Sequence, residues 1–192
     1  MKSKKILLLD MDGVVINKSE VFSIRISEKL NISIEEVLPF FKNEFQLCLV
    51  GKAYLKEELK KYTSRWGWKD SIENLLKFWF DGEKEVNQDI LDKTSELRKE
   101  GNRVYLATNN EKYRVDFLWN KIGLKNYFDG IFSSAELGFK KPDPEFYLKA
   151  LALLKTKPGD VIFFDDDEEN VISAKEVGMD ARFYSGINDF KV

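Results

Sequence analysis

Asp10 and Asp12 stand just after the apolar run Ile6-Leu7-Leu8-Leu9, and Asp165 and Asp166 just after a second run, Val161-Ile162-Phe163-Phe164. Short apolar runs bounded by acids read as buried parallel strands with polar groups at their C-terminal ends. In open parallel sheets that end is where ligands bind. If both strand ends share one crevice, several negative charges converge there. Two unit charges about 4 Å apart repel by roughly 4 kcal/mol at an effective dielectric near 20. A bound cation is the usual remedy, and hard oxygen ligands suit Mg²⁺. Any one of these acids taken alone reads as a loop carboxylate or a helix N-cap. The two pairs together, with what lies between them, read as a site.

The chain contains no histidine. That removes Ser-His-Asp and Cys-His nucleophilic sites and histidine metal sites in one step. Acid–base chemistry then falls to carboxylates or lysines. The single cysteine, Cys48, has no internal disulfide partner, and a reducing cytoplasm is the simple expectation. A net charge of −2 gives no reason to expect a nucleic acid or an acidic membrane as partner. No apolar run approaches membrane-spanning length. Lys2-Ser3-Lys4-Lys5 before Ile6 superficially resembles a signal peptide. Asp10 and Asp12 interrupt the apolar stretch too early for one, and no cleavage site follows. The oligomeric state is not legible.

The elements that must position the acids come in two textures. Residues 16–86 look helical throughout, with apolar residues at three- and four-residue spacing. The series are Val21, Ile24, Leu30; Val37, Phe40, Phe41, Phe45; Tyr54, Leu55, Leu59, Tyr62; and Ile72, Leu75, Leu76, Trp79. Breaks fall near 31–33, 50–51 and 66–68. From residue 87 strands and helices alternate. Helices are predicted over 88–100, 111–122, 144–154 and 168–177, with strands over 103–107, 130–132, 161–164 and 181–183. This is an α/β chain with a doubly wound parallel sheet. The first strand belongs with the second texture. Residues 1–15 and 87–192 therefore read as the core, and 16–86 as a helical cap inserted after the first strand. Its place directly after Asp12 suits a lid.

Strand ends deliver the motifs in order: Asp10-Met11-Asp12-Gly13-Val14, then Leu106-Ala107-Thr108-Asn109-Asn110, then Gly138-Phe139-Lys140-Lys141-Pro142-Asp143-Pro144, then Asp165-Asp166-Asp167-Glu168-Glu169-Asn170. On these motifs nearly the whole chain resembles the haloacid dehalogenase-like hydrolase superfamily, mostly phosphatases with a Rossmann-like core. The resemblance implies a Mg²⁺-dependent phosphatase acting on a small phosphorylated metabolite, with a sugar phosphate as one candidate. Asp10 would attack phosphorus and form an aspartyl phosphate. Asp12 would protonate the leaving oxygen and then activate water. Thr108 would offer a hydroxyl and Asn109 a backbone N–H to the phosphoryl oxygens, and Lys141 would neutralise Asp10 and the transferring group. Mg²⁺ would sit on Asp10, the Asp12 carbonyl and Asp166, with Asp165 acting directly or through water.

Lys141 is preferred to Lys140 because it precedes Pro142, which keeps it out of a helix. Lys140 reads as solvated. Asp167, Glu168 and Glu169 read as serving the following helix N-terminus, and Asn170 as bonding within its loop. Dehalogenases of the superfamily generally lack the second aspartate, so Asp12 favours phosphatase or phosphomutase chemistry. The second half is similar to bacterial sugar-phosphate phosphatases and to the phosphatase domain of epoxide hydrolases. A phosphomutase shares every core residue and is the alternative. A non-enzymatic phospho-acceptor module, like a receiver domain, would carry its motifs in a different order. Gly51-Lys52-Ala53-Tyr54 occupies a position similar to the substrate loop of family caps, so Lys52 and Tyr54 are specificity candidates. The aromatics Phe40, Phe41, Trp66, Trp68 and Trp79 read as mostly core.

Overall fold

A computed structural model describes residues 4–191. Met1, Val192, and Lys2 and Ser3 of the basic N-terminal stretch lie outside the described residues. Five parallel strands form one sheet in the order β3-β2-β1-β4-β5. They are β1 (Ile6–Leu9), β2 (Arg103–Thr108), β3 (Gly130–Ser133), β4 (Val161–Asp165) and β5 (Asp180–Phe183). β1 is central, with Leu9 opposite Leu106 on one side and Phe164 on the other. Covered on both faces, β1 and β4 need apolar residues at every position, hence their unbroken runs.

Alternate residues still serve opposite faces, because successive side chains of a strand point to opposite sides. Leu7, Leu9, Val104, Leu106, Ile162 and Phe164 pack in one cluster. Ile6, Leu8, Ala107, Val161 and Phe163 pack in another. The helices that cover the sheet are α6 (Gln88–Lys99), α8 (Ser134–Leu137), α9 (Pro144–Leu154) and α10 (Glu168–Glu176), while α7 (Lys112–Asp116) follows β2 and packs Tyr113 against the inserted helices. The helix expected over 111–122 is α7 followed by a π turn, Phe117–Lys121. The short α8 was not expected; it begins where the Ser133 hydroxyl accepts the Glu136 N–H at 3.3 Å. β2 and β4 each run one residue further than expected, so Thr108 and Asp165 are terminal strand residues.

Between β1 and α6 lie five helices: α1 (Phe22–Leu30), α2 (Ile34–Lys42), α3 (Glu44–Leu49), α4 (Leu55–Trp66) and α5 (Ile72–Asp81). They enclose a cluster of their own that includes Phe22, Phe40, Trp66, Leu75 and Trp79. The apolar spacing that predicts one helix through Phe45 is broken at Asn43, whose backbone (φ −117°, ψ −88°) is non-helical. A capping box of Ser33 and Glu36 starts α2. The outgoing and returning chains run side by side: Asn17 N–H donates to Glu85 O and Asn87 N–H to Val15 O, at 2.8 and 2.9 Å. Among the described residues no helix is long and apolar enough to cross a membrane.

Leu8 is fully buried in the middle of the central strand. Leu8→Ala is expected to lower unfolding free energy by about 2–5 kcal/mol through lost burial and a residual cavity. Urea denaturation is the check; a loss below about 1 kcal/mol would mean that the strand packs less tightly than described.

Candidate active site

The sheet's C-terminal edge gathers residues from all four motifs. The Asp10 N–H donates to Phe164 O at 2.8 Å, extending the β1–β4 pairing past Leu9 and setting Asp10 beside Asp165. Lys141 enters from the loop before α9. Its Nζ lies 2.7 Å from Asp10 Oδ1 and 2.5 Å from Asp165 Oδ2, buried and with the Phe163 ring centroid 5.5 Å away. The Asn109 side chain fixes where Lys141 stands: its Oδ1 accepts the Lys141 N–H and its Nδ2 donates to Lys141 O, both at 2.8 Å. Asn109 therefore holds the lysine loop with its amide, a role the sequence does not reveal.

Asp165 is the most deeply held acid. Its Oδ1 accepts the Asp167 N–H at 2.9 Å, and Asn170 Nδ2 reaches both of its oxygens at 3.1 Å. Asn170 is held in turn by the Tyr147 hydroxyl, which donates to its carbonyl at 2.9 Å. Asp167 caps α10 by accepting the Glu169 N–H at 2.9 Å. Carboxylate oxygens of Asp10, Asp165 and Asp166 lie within 4.8 Å of one another. Burial pushes the Asp10 carboxyl upward; the Lys141 ammonium opposes this, and the Asp165 charge adds to it. Burial would lower Lys141, but the Asp10 and Asp165 carboxylates outweigh it and hold the ammonium above its ordinary value. Asp166 pairs with the exposed Lys18 at 2.6 Å. Gly13 is required beside it: φ is +97°, and a Cβ there would fall 2.2 Å from Asp166 Oδ2.

Asp12 occupies a different environment. Its side chain is 46% exposed and stands outside the carboxylate cluster. Oδ1 accepts from Arg114 Nη2 and Oδ2 from Asn110 Nδ2, both at 2.6 Å. Asn110 Nδ2 also donates to Thr108 Oγ1 at 2.7 Å, fixing the buried hydroxyl. Two aspartates two residues apart are thus set up differently, one buried against an ammonium and one at the rim in a fork of donors.

Sequence reasoning missed Arg114, Asn110, Lys18 and Glu83. Arg114 is buried on α7; its Nη2 also donates to Glu83 O at 3.0 Å, and its Nη1 is 3.6 Å from Glu83 Oε2 with no hydrogen-bond partner. A buried guanidinium needs an acid nearby, and the arginine after the Thr108-Asn109-Asn110 motif was the available signal. Lys140 is not solvated as expected: its Nζ donates to Gln46 Oε1 of α3 at 2.5 Å. The structure does not bring Lys52 or Tyr54 to the cleft. Both are exposed, and neither is among the residues that line it. The Tyr54 ring instead lies 5.2 Å from the Lys112 ammonium.

Residues 4–178 match the haloacid dehalogenase-like hydrolase family, and the chain belongs to that family of hydrolases. It is similar to the sesquiterpene phosphatase astK of Aspergillus oryzae, 40% identical over 90 residues, a stretch covering 44% of this chain and 43% of astK. The chain thus spans less than half the length of that relative. The putative pyrophosphatase PpaX of Caldanaerobacter subterraneus subsp. tengcongensis is 26% identical over 179 residues, 90% of this chain and 78% of PpaX. Among solved structures, the HAD family enzyme bt-2542 of Bacteroides thetaiotaomicron, in complex with magnesium and inorganic phosphate, shares the fold with a TM-score of 0.84. It is 23% identical, and the match covers 98% of either chain.

Glu111, next to Asn110, is buried and accepts the N–H groups of Tyr113 and Arg114 at 2.8 and 2.7 Å. Burial pushes its carboxyl up to about 7, against the pull of those N–H groups and of Arg114. An acid raised by folding favours the folded state while it is protonated. That contribution is complete below its unfolded value and is lost as pH rises through about 7. Glu111→Gln should therefore gain stability relative to the parent by up to a few kcal/mol between about pH 5 and pH 8. Urea melts of both proteins at the two pH values test this, and a constant difference would refute the assignment.

Proposed function

We propose that the chain is a Mg²⁺-dependent phosphatase that hydrolyses a small phosphorylated metabolite through an aspartyl phosphate on Asp10. The observation that carries this is the placement of Lys141 between Asp10 and Asp165, with Asp166 alongside, at the ligand-binding edge of the sheet. The matches to astK and PpaX, each named as a phosphatase or pyrophosphatase, support it. The all-oxygen donor set of Asp10, Asp165 and Asp166 fits Mg²⁺, with the Asp12 main-chain carbonyl as a further donor. When bound, Mg²⁺ supplies positive charge to the phosphoryl oxygens and offsets the carboxylate repulsion.

Asp10 Oδ1 accepts from Lys141, whereas no protein hydrogen bond to Oδ2 is found among the described residues, which leaves that oxygen for attack. Attack forms the Asp10–phosphorus bond and breaks the ester bond, while Asp12 gives its proton to the departing alcohol oxygen. Water then attacks phosphorus, Asp12 takes the water's proton, and phosphate leaves with Asp10 restored. Thr108 and the Asn109 backbone N–H orient the phosphoryl group, and Lys141 neutralises its developing charge. Residues 16–86 act as the cap over this edge. They limit water and shape the space for the alcohol.

Asp10→Asn should reduce phosphate release at least about 10³-fold, since no other group replaces the nucleophile. Its circular dichroism should match the parent's. Mg²⁺ should restore activity after EDTA treatment and raise the melting temperature of the parent. Near-parental activity of a folded Asp10→Asn protein would refute the mechanism.

Arg114 is proposed to act through Asp12 rather than on the phosphoryl group. Arg114→Lys should slow release from alkyl phosphates by roughly 10- to 100-fold, because a poorly leaving alkoxide needs the acid. In kcat/KM, which reports formation of the aspartyl phosphate and not the water step that Asp12 also serves, p-nitrophenyl phosphate, whose leaving group needs no proton, should change by less than about threefold. Equal losses on both substrates would assign Arg114 a merely structural or phosphate-binding role.

A further inference from the structure

The small polar recess around Asp10, Lys141 and Asp165, about 240 Å³, lies next to a larger space. Asp12 and Asn109 line both, and the second is a cleft of about 570 Å³ between the inserted helices and the sheet edge. That volume suits a small-molecule body. The far wall is carbon: Val21, Phe22, Leu38, Phe41, Phe45 and Trp79. The rings brace one another, Phe22 stacked on Trp79 at 4.4 Å and Phe41 and Phe45 at 5.5 and 5.4 Å from it, so the wall is preformed.

Beside this wall several polar groups of the cleft are engaged with one another, whereas Arg114 Nη1 and the side chains of Asn17, Ser19 and Ser23 have no hydrogen-bond partner among the described residues. Asn110 serves Asp12 and Thr108, and Arg114 serves Asp12 and Glu83. The Glu83 carboxylate accepts the Phe22 N–H at 2.6 Å and the Trp79 indole N–H at 3.1 Å. Lys18 pairs with Asp166. A polyol pressed against this wall would give up hydrogen bonds to water without replacement, whereas a hydrocarbon body would gain by leaving water.

Resting on the phosphatase reading, we propose that this cleft receives the alcohol part of the substrate and selects phosphate monoesters with an aromatic or branched-hydrocarbon body over sugar phosphates. The phosphate is held at Asp10, Thr108, Asn109 and Lys141, and the body lies against Leu38, Phe41 and Trp79. Selection acts through the wall of the inserted helices, away from Lys52 and Tyr54.

Two measurements on the full chain with Mg²⁺ test this separately from the phosphatase reading. Binding of n-alkylphosphonates, from methyl to octyl, is followed by calorimetry; these cannot be hydrolysed, so turnover is not needed. Kd is expected to fall by about three- to fourfold per added methylene until the cleft is filled. Leu38→Asn, at a half-buried wall position, should weaken octylphosphonate by more than about fivefold and leave methylphosphonate within about twofold. In the second measurement, hexyl phosphate should exceed glucose 6-phosphate in kcat/KM by at least about tenfold. A flat alkylphosphonate series, or glucose 6-phosphate turned over as well as hexyl phosphate, overturns the proposal. A steep series with no phosphate released from either ester supports the apolar cleft and refutes the phosphatase reading. Phosphate release with a flat series does the reverse.

Discussion

A lysine ammonium that is 3% exposed, between two buried carboxylates, dictates much of how this molecule is built. Removing such charges from water costs several kcal/mol per ion, and mutual attraction repays it only with good geometry and satisfied remaining valences. That geometry is assembled from three distant places: the end of β1, the end of β4 and the loop before α9. Each is fixed by backbone-scale contacts. Asp10 pairs with Phe164, Asp165 is held by Asn170 and the Asp167 N–H, and Lys141 is gripped at both its N–H and its carbonyl by Asn109. The apolar strands beneath supply the rigidity. Leu8 and Phe163, for example, are fully buried beneath the edge.

The same arrangement gives two aspartates so close in sequence opposite environments. Asp10 is buried where an uncompensated carboxylate is unfavourable and an ammonium is within reach, conditions that suit a nucleophile neutralised as it reacts. Asp12 is at the rim, half exposed, with Asn110 and Arg114 each donating to one of its oxygens. The turn at Gly13 makes the separation possible, since a side chain there would occupy the space of Asp166.

Much of this was legible in the sequence because strand ends announce themselves. An apolar run stopping at an acid marks both a sheet position and a polar edge, so Asp10 and Asp165 could be placed without coordinates, whereas Thr108 and Lys141 were placed by the family resemblance. Asn109 was legible as a site residue, but not as the amide that fixes the lysine loop. Arg114 lies 102 residues from Asp12, and no local pattern encodes their meeting. Lys18 and Glu83 sit on the crossings between core and insertion, where composition resembles any polar linker. The break at Asn43 is hidden because apolar spacing carries on across it. Lys52 and Tyr54 stand in a loop with the expected position in the chain, but Gly51 lies close to the Ala135 carbonyl, and the two exposed side chains are not among those that line the cleft.

What joins the two parts of the site is a contiguous set of contacts. Arg114 touches the Asp12 carboxylate, the Glu83 carbonyl and, more distantly, the Glu83 carboxylate. Glu83 stands where the chain returns to the core, and its carboxylate holds the Phe22 N–H and the Trp79 indole. Arg25 closes the same region by donating to the Phe78 and Trp79 carbonyls at the end of α5. Its guanidinium fills the space where a Cβ on Gly82 would stand. Phe22 and Trp79 are themselves wall residues of the cleft. Asp12, the return crossing and the apolar wall therefore share contacts, and a ligand that displaced the wall would have to displace Glu83 and Arg114 with it. The shape of the apolar wall and the placement of Asp12 are in this fold one geometric requirement.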